Sequence, residues 1–455
     1  MMLIICSRGL AQAFRSTAAL STSSAYTCLC HKHHMTAHRH MSNSTTASPQ
    51  KSSDVTIQGL TYPTDSYTNV TPRIISKVGC NLHNQKYHPL NLIRHRIQNY
   101  FDTYFTTHIG SPVFSVFDNI SPVVSVYQNF DSLLFPPDHP GRTVSDTYYV
   151  NSQQLLRAHT TAHQEDLIKM GLDAFLVAGD VYRRDEIDAS HYPVFHQMDA
   201  VRLFQEKELF ARVNDPTNLS IFEDGKRTAD KQEFHSLEAA KLLEYDLKKT
   251  LSGLADCLFG KEVEMRWVDD VYFPFTHPSW ELEIMFEGEW LEVLGCGITE
   301  QKILHNAGAS HKVGWAFGLG LERLAMKLYN IPDIRLFWSN DPGFLKQFRV
   351  DDPNTPITYK PISSYPPCIN DMSFWIPNEE FRSNDFYDLV RSVAGDIVER
   401  VELVDEFTQV AKQRTSHCYR ITYRHMDKTF TQAEVNDLHT KVGRAATDLL
   451  GVTLR

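Results

Sequence analysis

Apolar and polar positions alternate between helical and strand periods along this chain. His88-Pro89-Leu90 opens a helix that runs to Phe101, with Leu92, Ile93, Ile97 and Tyr100 on its inner face. Phe114 to Val126 reads as strands around Pro122. Ala174 to Val177 is a short apolar run and Met198 to Phe204 has β-like character. The charged stretch between them, Gly179 to Gln197, makes the pair an antiparallel hairpin whose loop is long enough to carry function. Thr161-Ala162-His163-Gln164 fits a capping box for a helix ending near Gly171. Leu243, Leu247, Leu251, Leu254 and Leu258 form the core stripe of a helix from Glu233 to Gly260. Glu262 to Val268 is a strand. Trp280, Leu282, Ile284 and Phe286 then alternate with Glu281, Glu283 and Met285, turn at Glu287-Gly288 and return through Trp290 to Leu294. Gly314 to Met326 reads as strand, glycine turn and helix. Hairpins built around helices, without a βαβ series, predict an α+β fold with a large antiparallel sheet.

The pattern changes after Ile331. Residues 332–361 are rich in proline, aspartate and asparagine with little periodicity, and read as a linker. Beyond it the order is strand (Met372 to Ile376), helix (Phe386 to Arg400), strand (Val401 to Phe407), strand (Cys418 to His425), helix (Thr431 to Leu450) and a last strand. That β-α-β-β-α-β order is ferredoxin-like. The expected division is a leader at 1–50, a first globular unit at 51–331, the linker at 332–361 and a ferredoxin-like unit at 362–455.

Composition adds three constraints. A chain of 455 residues with 42% hydrophobic and 22% charged residues is that of a soluble multidomain protein. A net charge of −10 excludes RNA binding by bulk positive charge, so any such contact needs local patches. Lys412, Arg414, Arg420 and Arg424, interleaved with Tyr419 and Tyr423, are the candidate patch. The third constraint is the leader. From Met1 to Val55 the first acidic residue is Asp54, whereas Arg8, Arg15, Lys32, Arg39 and Lys51 are basic amid serine, threonine and alanine. That is the composition of a mitochondrial presequence, and the Cys28–His40 cluster inside it matches no zinc spacing. No uncharged apolar run of about 18 residues occurs, so no membrane span is expected. Cys80, Cys257, Cys296, Cys368 and Cys418 are scattered and odd in number, which suits a reducing compartment.

Chemistry enters with Arg183-Arg184 at the start of the hairpin loop. A guanidinium presents a rigid fork of donors suited to phosphate, though a surface hairpin with ordinary ion pairs reads the same way. The chain has no G-x-x-x-x-G-K-[ST] and no G-x-G-x-x-G, so a bound nucleotide must be held by side chains. Arg183-Arg184-Asp185, Asp188-Ala189-Ser190-His191 and Phe195-His196-Gln197, with Gly318-Leu319-Gly320-Leu321-Glu322-Arg323, resemble motifs 2 and 3 of class II aminoacyl-tRNA synthetases. The wording is that of the phenylalanyl-tRNA synthetases. Asn129-Phe130-Asp131, His139-Pro140-Gly141-Arg142 and Asp146-Thr147-Tyr148-Tyr149 extend the resemblance, and the C-terminal unit is similar to that family's anticodon-binding domain.

The resemblance implies ATP-dependent attachment of phenylalanine to mitochondrial tRNA(Phe), through a phenylalanyl-adenylate, in the mitochondrial matrix. It implies ATP and Mg2+, with Arg183, Arg323 and Glu292 as catalytic residues. Arg183 would grip the α-phosphate and the substrate carboxylate. Arg323 would reach the γ-phosphate and sandwich adenine against Phe195. Asp185, Ser190, His191 and Tyr192 would complete the nucleotide site, and Glu292 would hold magnesium or the nucleotide. On the amino-acid side it implies His159, Thr161, Ala162, His163, Gln164, Gln197, Met198 and Asp199. Phe273, Phe275, Ala316 and Phe317 would form the ring pocket. Lys412, Arg414, Arg420 and Arg424 would meet tRNA. Pro122-Val123-Val124-Ser125 lacks the acidic residues usual after the proline of motif 1, which points to a monomer. A non-catalytic RNA-binding relative and a different acyl-adenylate ligase, such as a biotin or lipoate ligase, are the rival readings.

Overall fold

A computed structural model of the chain describes residues 54–455 apart from 212, 340, 362–364, 378–380 and 427. The presequence reading and its histidine cluster lie outside the described residues.

A seven-stranded sheet forms the centre of the larger unit. Its strands are β1 (Ser115–Phe117), β2 (Ala174–Tyr182), β3 (Val194–Phe204), β4 (Met265–Val268), β5 (Thr276–Phe286), β6 (Glu289–Thr299) and β7 (Val313–Gly320). The order is β1-β2-β3-β7-β6-β5-β4, and every pairing except β1 with β2 is antiparallel. The expected hairpins are therefore present: β2 with β3 and β5 with β6. Helices α1 (Pro89–Tyr104), α2 (Leu237–Phe259) and α3 (Leu321–Tyr329) share the core with one face of the sheet. The leucine stripe of α2 is buried along its length, as expected of a core stripe. The Tyr100 hydroxyl donates to Thr250 O at 2.8 Å, and Arg96 reaches the carbonyls of Cys257 and Leu258, so α1 is seated against α2.

The segment read as a linker is structured. Ile334, Leu336, Phe337, Phe344, Phe348 and Tyr359 are buried in the main core. Their spacing follows neither a strand nor a long helix, because they hang from a 3-10 turn (Ile334–Trp338) and a short helix (Pro342–Lys346).

The C-terminal unit has strands β8 (Cys368–Trp375), β9 (Val398–Gln409), β10 (Arg414–Tyr423) and β11 (Thr453–Leu454), in the antiparallel order β9-β10-β8-β11. Helices α4 (Ser383–Ala394) and α5 (Gln432–Leu450) pack on one face. Helix α4 stops six residues short of the expected Arg400, at Gly395, whose φ of +72° breaks the helical path. The Thr431–Glu434 capping box of α5 is present. The five described cysteines form no disulfide.

The two units meet on the β2–β3 loop. Ile187 is buried among Phe386, Leu389 and Val390 of the C-terminal core, and its carbonyl accepts from Val401 N at 2.9 Å. Arg391 donates to Glu186 O, and the Tyr148 hydroxyl donates to Asp388 at 2.6 Å.

Candidate active site

Strand alternation divides β3 between two jobs. Phe195, Gln197 and Asp199 face cavities, whereas His196 and Met198 are fully buried and line neither. Two cavities result. They share a wall made by Arg183, Gln197 and Gly318.

The first cavity is aromatic. Phe273 and Phe275 stack with centroids 5.8 Å apart, Phe135 lies 6.0 Å from Phe275, and Ala316 and Phe317 close the far side. Polar groups gather at one end. Gln164 Oε1 and Nε2 and Gln197 Oε1 are buried without a hydrogen-bond partner among the described residues. Asp199, only 7% exposed, accepts from Thr161 Oγ1 at 2.5 Å. Burial pushes its carboxyl up to about 6, against the opposing pull of the threonine hydroxyls and Arg183. At the paired position on β7 a Cβ on Gly318 would lie 2.8 Å from Asp199 Oδ1, so any larger residue there would displace the carboxylate. An apolar pocket ending in unpartnered amides and a carboxylate suits an aromatic amino acid with a free ammonium group.

The resemblance placed three further residues here that the structure removes. Ala162 and Met198 are packed in the core, and His163 turns away to bond Arg157 at 2.9 Å. The reason is local geometry. Residues Thr160–His163 form a 3-10 turn, so Thr161 spends its hydroxyl on Asp199 and no capping box forms. His159 does line the cavity, its ring stacked on Phe135, and burial with the Arg183 charge pushes its pKa down to about 3. Phe135 was missed by the sequence reading, because nothing in its neighbourhood has a period that marks it as pocket rather than core.

The second cavity is larger and more polar than the first. It is lined by Arg183, Asp185, Ser190, His191, Tyr192, Phe195, Glu292 and Arg323, the whole set expected of a nucleotide site. Arg183 lies over the Phe195 ring at 4.9 Å, and its Nε donates to Ala158 O. Arg323 donates to Glu292 Oε2 at 3.1 Å. His191 bonds Asp188 at 2.7 Å; burial opposes its charge, but Asp188, Asp185 and Glu186 raise its pKa overall. Tyr192 directs its hydroxyl to Asp396 of the C-terminal unit.

Arg184 does not join the phosphate-facing group. It pairs with Asp385 and Asp388 of the C-terminal unit, because neighbouring residues on an extended segment point to opposite sides. The expected arginine pair is thus one cavity arginine and one interface arginine.

Three glutamates stand along the floor. Glu283 pairs with Glu292 across β5 and β6, and Glu281 lies two residues from Glu283 on the same face. Glu281 is 8% exposed with Oε1 unpartnered among the described residues. Burial first, then Glu292 and Glu283, push its carboxyl up to about 7. A crowded carboxylate set with an orphaned buried oxygen has the chemistry of a divalent-cation site. Glu186, Asp188 and His191 form a separate group whose ligand atoms lie within 4.8 Å of one another.

On the C-terminal unit, sheet alternation corrects the interleaved pattern. Tyr419 and Tyr423 point into the core, so they cannot stack on RNA. Arg424 pairs with Glu399, and its carbonyl accepts from Arg335, which places it at the junction between units. Arg420 is held by Asp371 through two bonds of 2.8 Å. Lys412 ends the 3-10 turn between β9 and β10. The open face instead presents Trp375 and Phe407, 6.3 Å apart, with Arg414 stacked 3.8 Å above Trp375 and Arg455 over both rings.

Comparison with known proteins places both units. Residues 75–211 and 223–348 match the model for the tRNA synthetases class II core domain (F), and residues 363–455 match the ferredoxin-fold anticodon binding domain. The mitochondrial phenylalanine–tRNA ligase of Mus musculus is 55% identical over 427 residues, spanning 94% of this chain and 94% of its own length. That of Rattus norvegicus is 52% identical over 94% of this chain and 95% of its own length. The probable mitochondrial phenylalanine–tRNA ligase of Drosophila melanogaster is 54% identical over 90% and 94%. The chain belongs to the phenylalanine–tRNA ligase family of the class II tRNA synthetases.

Proposed function

We propose that this chain activates phenylalanine with ATP and transfers it to mitochondrial tRNA(Phe). The observation that carries the reading is the wall shared by an aromatic amino-acid cavity and a nucleotide cavity, with Arg183 in it. A carboxylate entering from one side and an α-phosphate from the other meet at that guanidinium.

The carboxylate is already a nucleophile, so no side-chain base is needed. Its oxygen forms the bond to the α-phosphorus as the bond from that phosphorus to the bridging oxygen breaks and pyrophosphate leaves. Arg183 draws the two anions together and stabilises the charge on phosphorus. Asp199, with Gln164 and Gln197, receives the ammonium group, which fixes the carboxylate toward Arg183. Phe273 and Phe275 pack the ring. Phe195 and Arg323 face adenine, and Ser190 and His191 complete the nucleotide contacts. Glu292 and Glu281 would hold Mg2+, which supplies charge neutralisation on the phosphates when bound. In the second step a terminal ribose hydroxyl of tRNA attacks the adenylate carbonyl and AMP leaves.

The open face of the C-terminal sheet is the RNA side, with Trp375, Phe407, Arg414 and Arg455 offering stacking surfaces and positive charge. Two features support a monomer: Pro122-Val123-Val124-Ser125 lacks the motif 1 acids, and α1 is seated on α2 of its own chain. The acid-free leader and the mitochondrial names of the relatives support the matrix as the site of action. No helix among the described residues is long and apolar enough to cross a membrane. A non-catalytic relative would have no need to keep Arg183, Glu292 and Arg323 in one cavity. Phenylalanine-dependent ATP–pyrophosphate exchange, followed by charging of mitochondrial tRNA(Phe), tests the reading, and absence of both activities in folded protein overturns it.

A further inference from the structure

The ladder between β3 and β7 ends at Gln197, which pairs with Gly320. Beyond that point β7 leaves the sheet and becomes α3 at Leu321. Strand β3 continues, however, with His196 paired to Asp180 and Phe195 to Val181 on its other side. The next backbone donor toward the departed strand is the N–H of His196. Its acceptor is Glu322 Oε2, at 2.8 Å, while His196 Nδ1 lies 2.7 Å from Glu322 Oε1. Glu322 is 3% exposed and His196 is fully buried. One carboxylate thus replaces the missing strand, and both its oxygens are committed to one residue. It also sits in the first turn of α3, where the helix dipole favours negative charge.

The consequence lies in the polar cavity. Phe195 and Arg323 are the chain neighbours of the clamped pair, and both line that cavity together with Glu322, whose two carboxylate oxygens are held by His196. The distance between β3 and the start of α3 is therefore fixed by the Glu322–His196 contact, and the opening between Phe195 and Arg323 follows from it. We propose that Glu322 is a positioning residue that sets this opening to the thickness of a planar base and so governs affinity for the adenine nucleotide. The proposal rests on the reading of this cavity as the ATP site.

Two measurements on the full chain test it: ATP–pyrophosphate exchange, and calorimetric titration with ATP alone. Glu322→Ala should raise the KM and Kd for ATP by on the order of ten- to a hundredfold, the scale of a small misplacement. The KM for phenylalanine should stay at the wild-type value. Glu322→Gln should keep much more ATP affinity than Glu322→Ala, because an amide can accept from His196 N–H and donate to Nδ1 once the ring proton moves to Nε2, although that nitrogen is buried without a partner among the described residues. In a Phe195→Ala background, where one wall of the opening is already gone, Glu322→Ala should add much less than it does alone. Unchanged ATP binding in Glu322→Ala, parallel loss for ATP and phenylalanine, or fully multiplicative losses in the double variant would each overturn the proposal. Should Glu322→Ala fail to fold, Glu322→Asp, whose shorter carboxylate cannot reach both donors, must weaken ATP selectively, and wild-type affinity there overturns it as well. Wild-type protein that binds ATP but shows no phenylalanine-dependent exchange refutes the proposed amino acid instead, and leaves the ATP titrations to decide on Glu322.

Discussion

Arg184 and Asp385 are 201 residues apart in the chain and meet at 2.8 Å, beside a second contact from Arg184 to Asp388 at 3.3 Å. The residue next to the cavity arginine Arg183 is thus committed to the other unit. Asp388 also accepts from Tyr148, so Asp388→Ala leaves two donors without their partner. We expect about 1–3 kcal/mol of destabilisation, read as an earlier urea midpoint, with Arg184→Ala smaller. Unchanged midpoints for both variants would show that the junction contributes nothing to stability.

Arg183→Ala should behave differently. It removes the guanidinium from the wall between the cavities, and the loss of one charge-stabilising donor typically costs about 10²–10³ in rate. The check is exchange activity beside an unchanged melting profile. Near wild-type exchange would remove Arg183 from the chemistry.

If Asp199 receives the ammonium group as proposed, amino-acid affinity should depend on pH. Its carboxyl titrates near 6, raised chiefly by burial, so below that value it is protonated and cannot pair with an ammonium group. The KM for phenylalanine should therefore fall as pH rises from 5 to 7, and Asp199→Asn should flatten the profile at a high KM. The free protein carries the opposite sign. A carboxyl raised in the fold stabilises it below the ordinary carboxylate range, and that stability is lost as pH climbs through about 6. A KM for phenylalanine that does not move between pH 5 and 7 would separate Asp199 from the ammonium group.

Ala316 lines the aromatic cavity beside Phe317. Ala316→Gly should admit para-chlorophenylalanine in pyrophosphate exchange. The matched regions, residues 75–211, 223–348 and 363–455, are a synthetase core and an anticodon-binding domain, and mischarged tyrosyl-tRNA should persist in the protein's presence; rapid deacylation would show otherwise. Rejection of the chloro analogue by the variant would take Ala316 out of the ring pocket.

Trp375→Ala should weaken tRNA charging while exchange is spared, since loss of one stacked base costs about 1–3 kcal/mol in binding. Arg424→Ala, at the junction with Arg335, should lower the melting temperature instead. Equal loss of both activities in Trp375→Ala would assign that side chain to the fold.

Much of this was legible from residues alone because the hairpins and the α2 stripe have strict periods, and because the motif residues occur in unbroken local wording. What escaped depends on partners distant in sequence. Arg184 reads as a phosphate ligand until Asp385 is brought beside it. Tyr419 and Tyr423 read as a stacking surface until pairing with β8 and β9 decides which face of β10 is covered. Trp375 lies on another strand from the basic residues, so no local pattern joined it to Arg414. Glu281 looks like any outward residue of an alternating strand, and only the fold shows that its outward side is a cavity floor.

Ile187 at the tip of the β2–β3 loop is buried in the C-terminal core. The loop that carries Arg183 and His191 and the sheet that carries Trp375 are therefore two ends of one docked arrangement. Thermodynamics then imposes a symmetry on the two ligands. By whatever factor bound nucleotide changes RNA affinity at the proposed RNA face of the far sheet, bound RNA must change nucleotide affinity by the same factor.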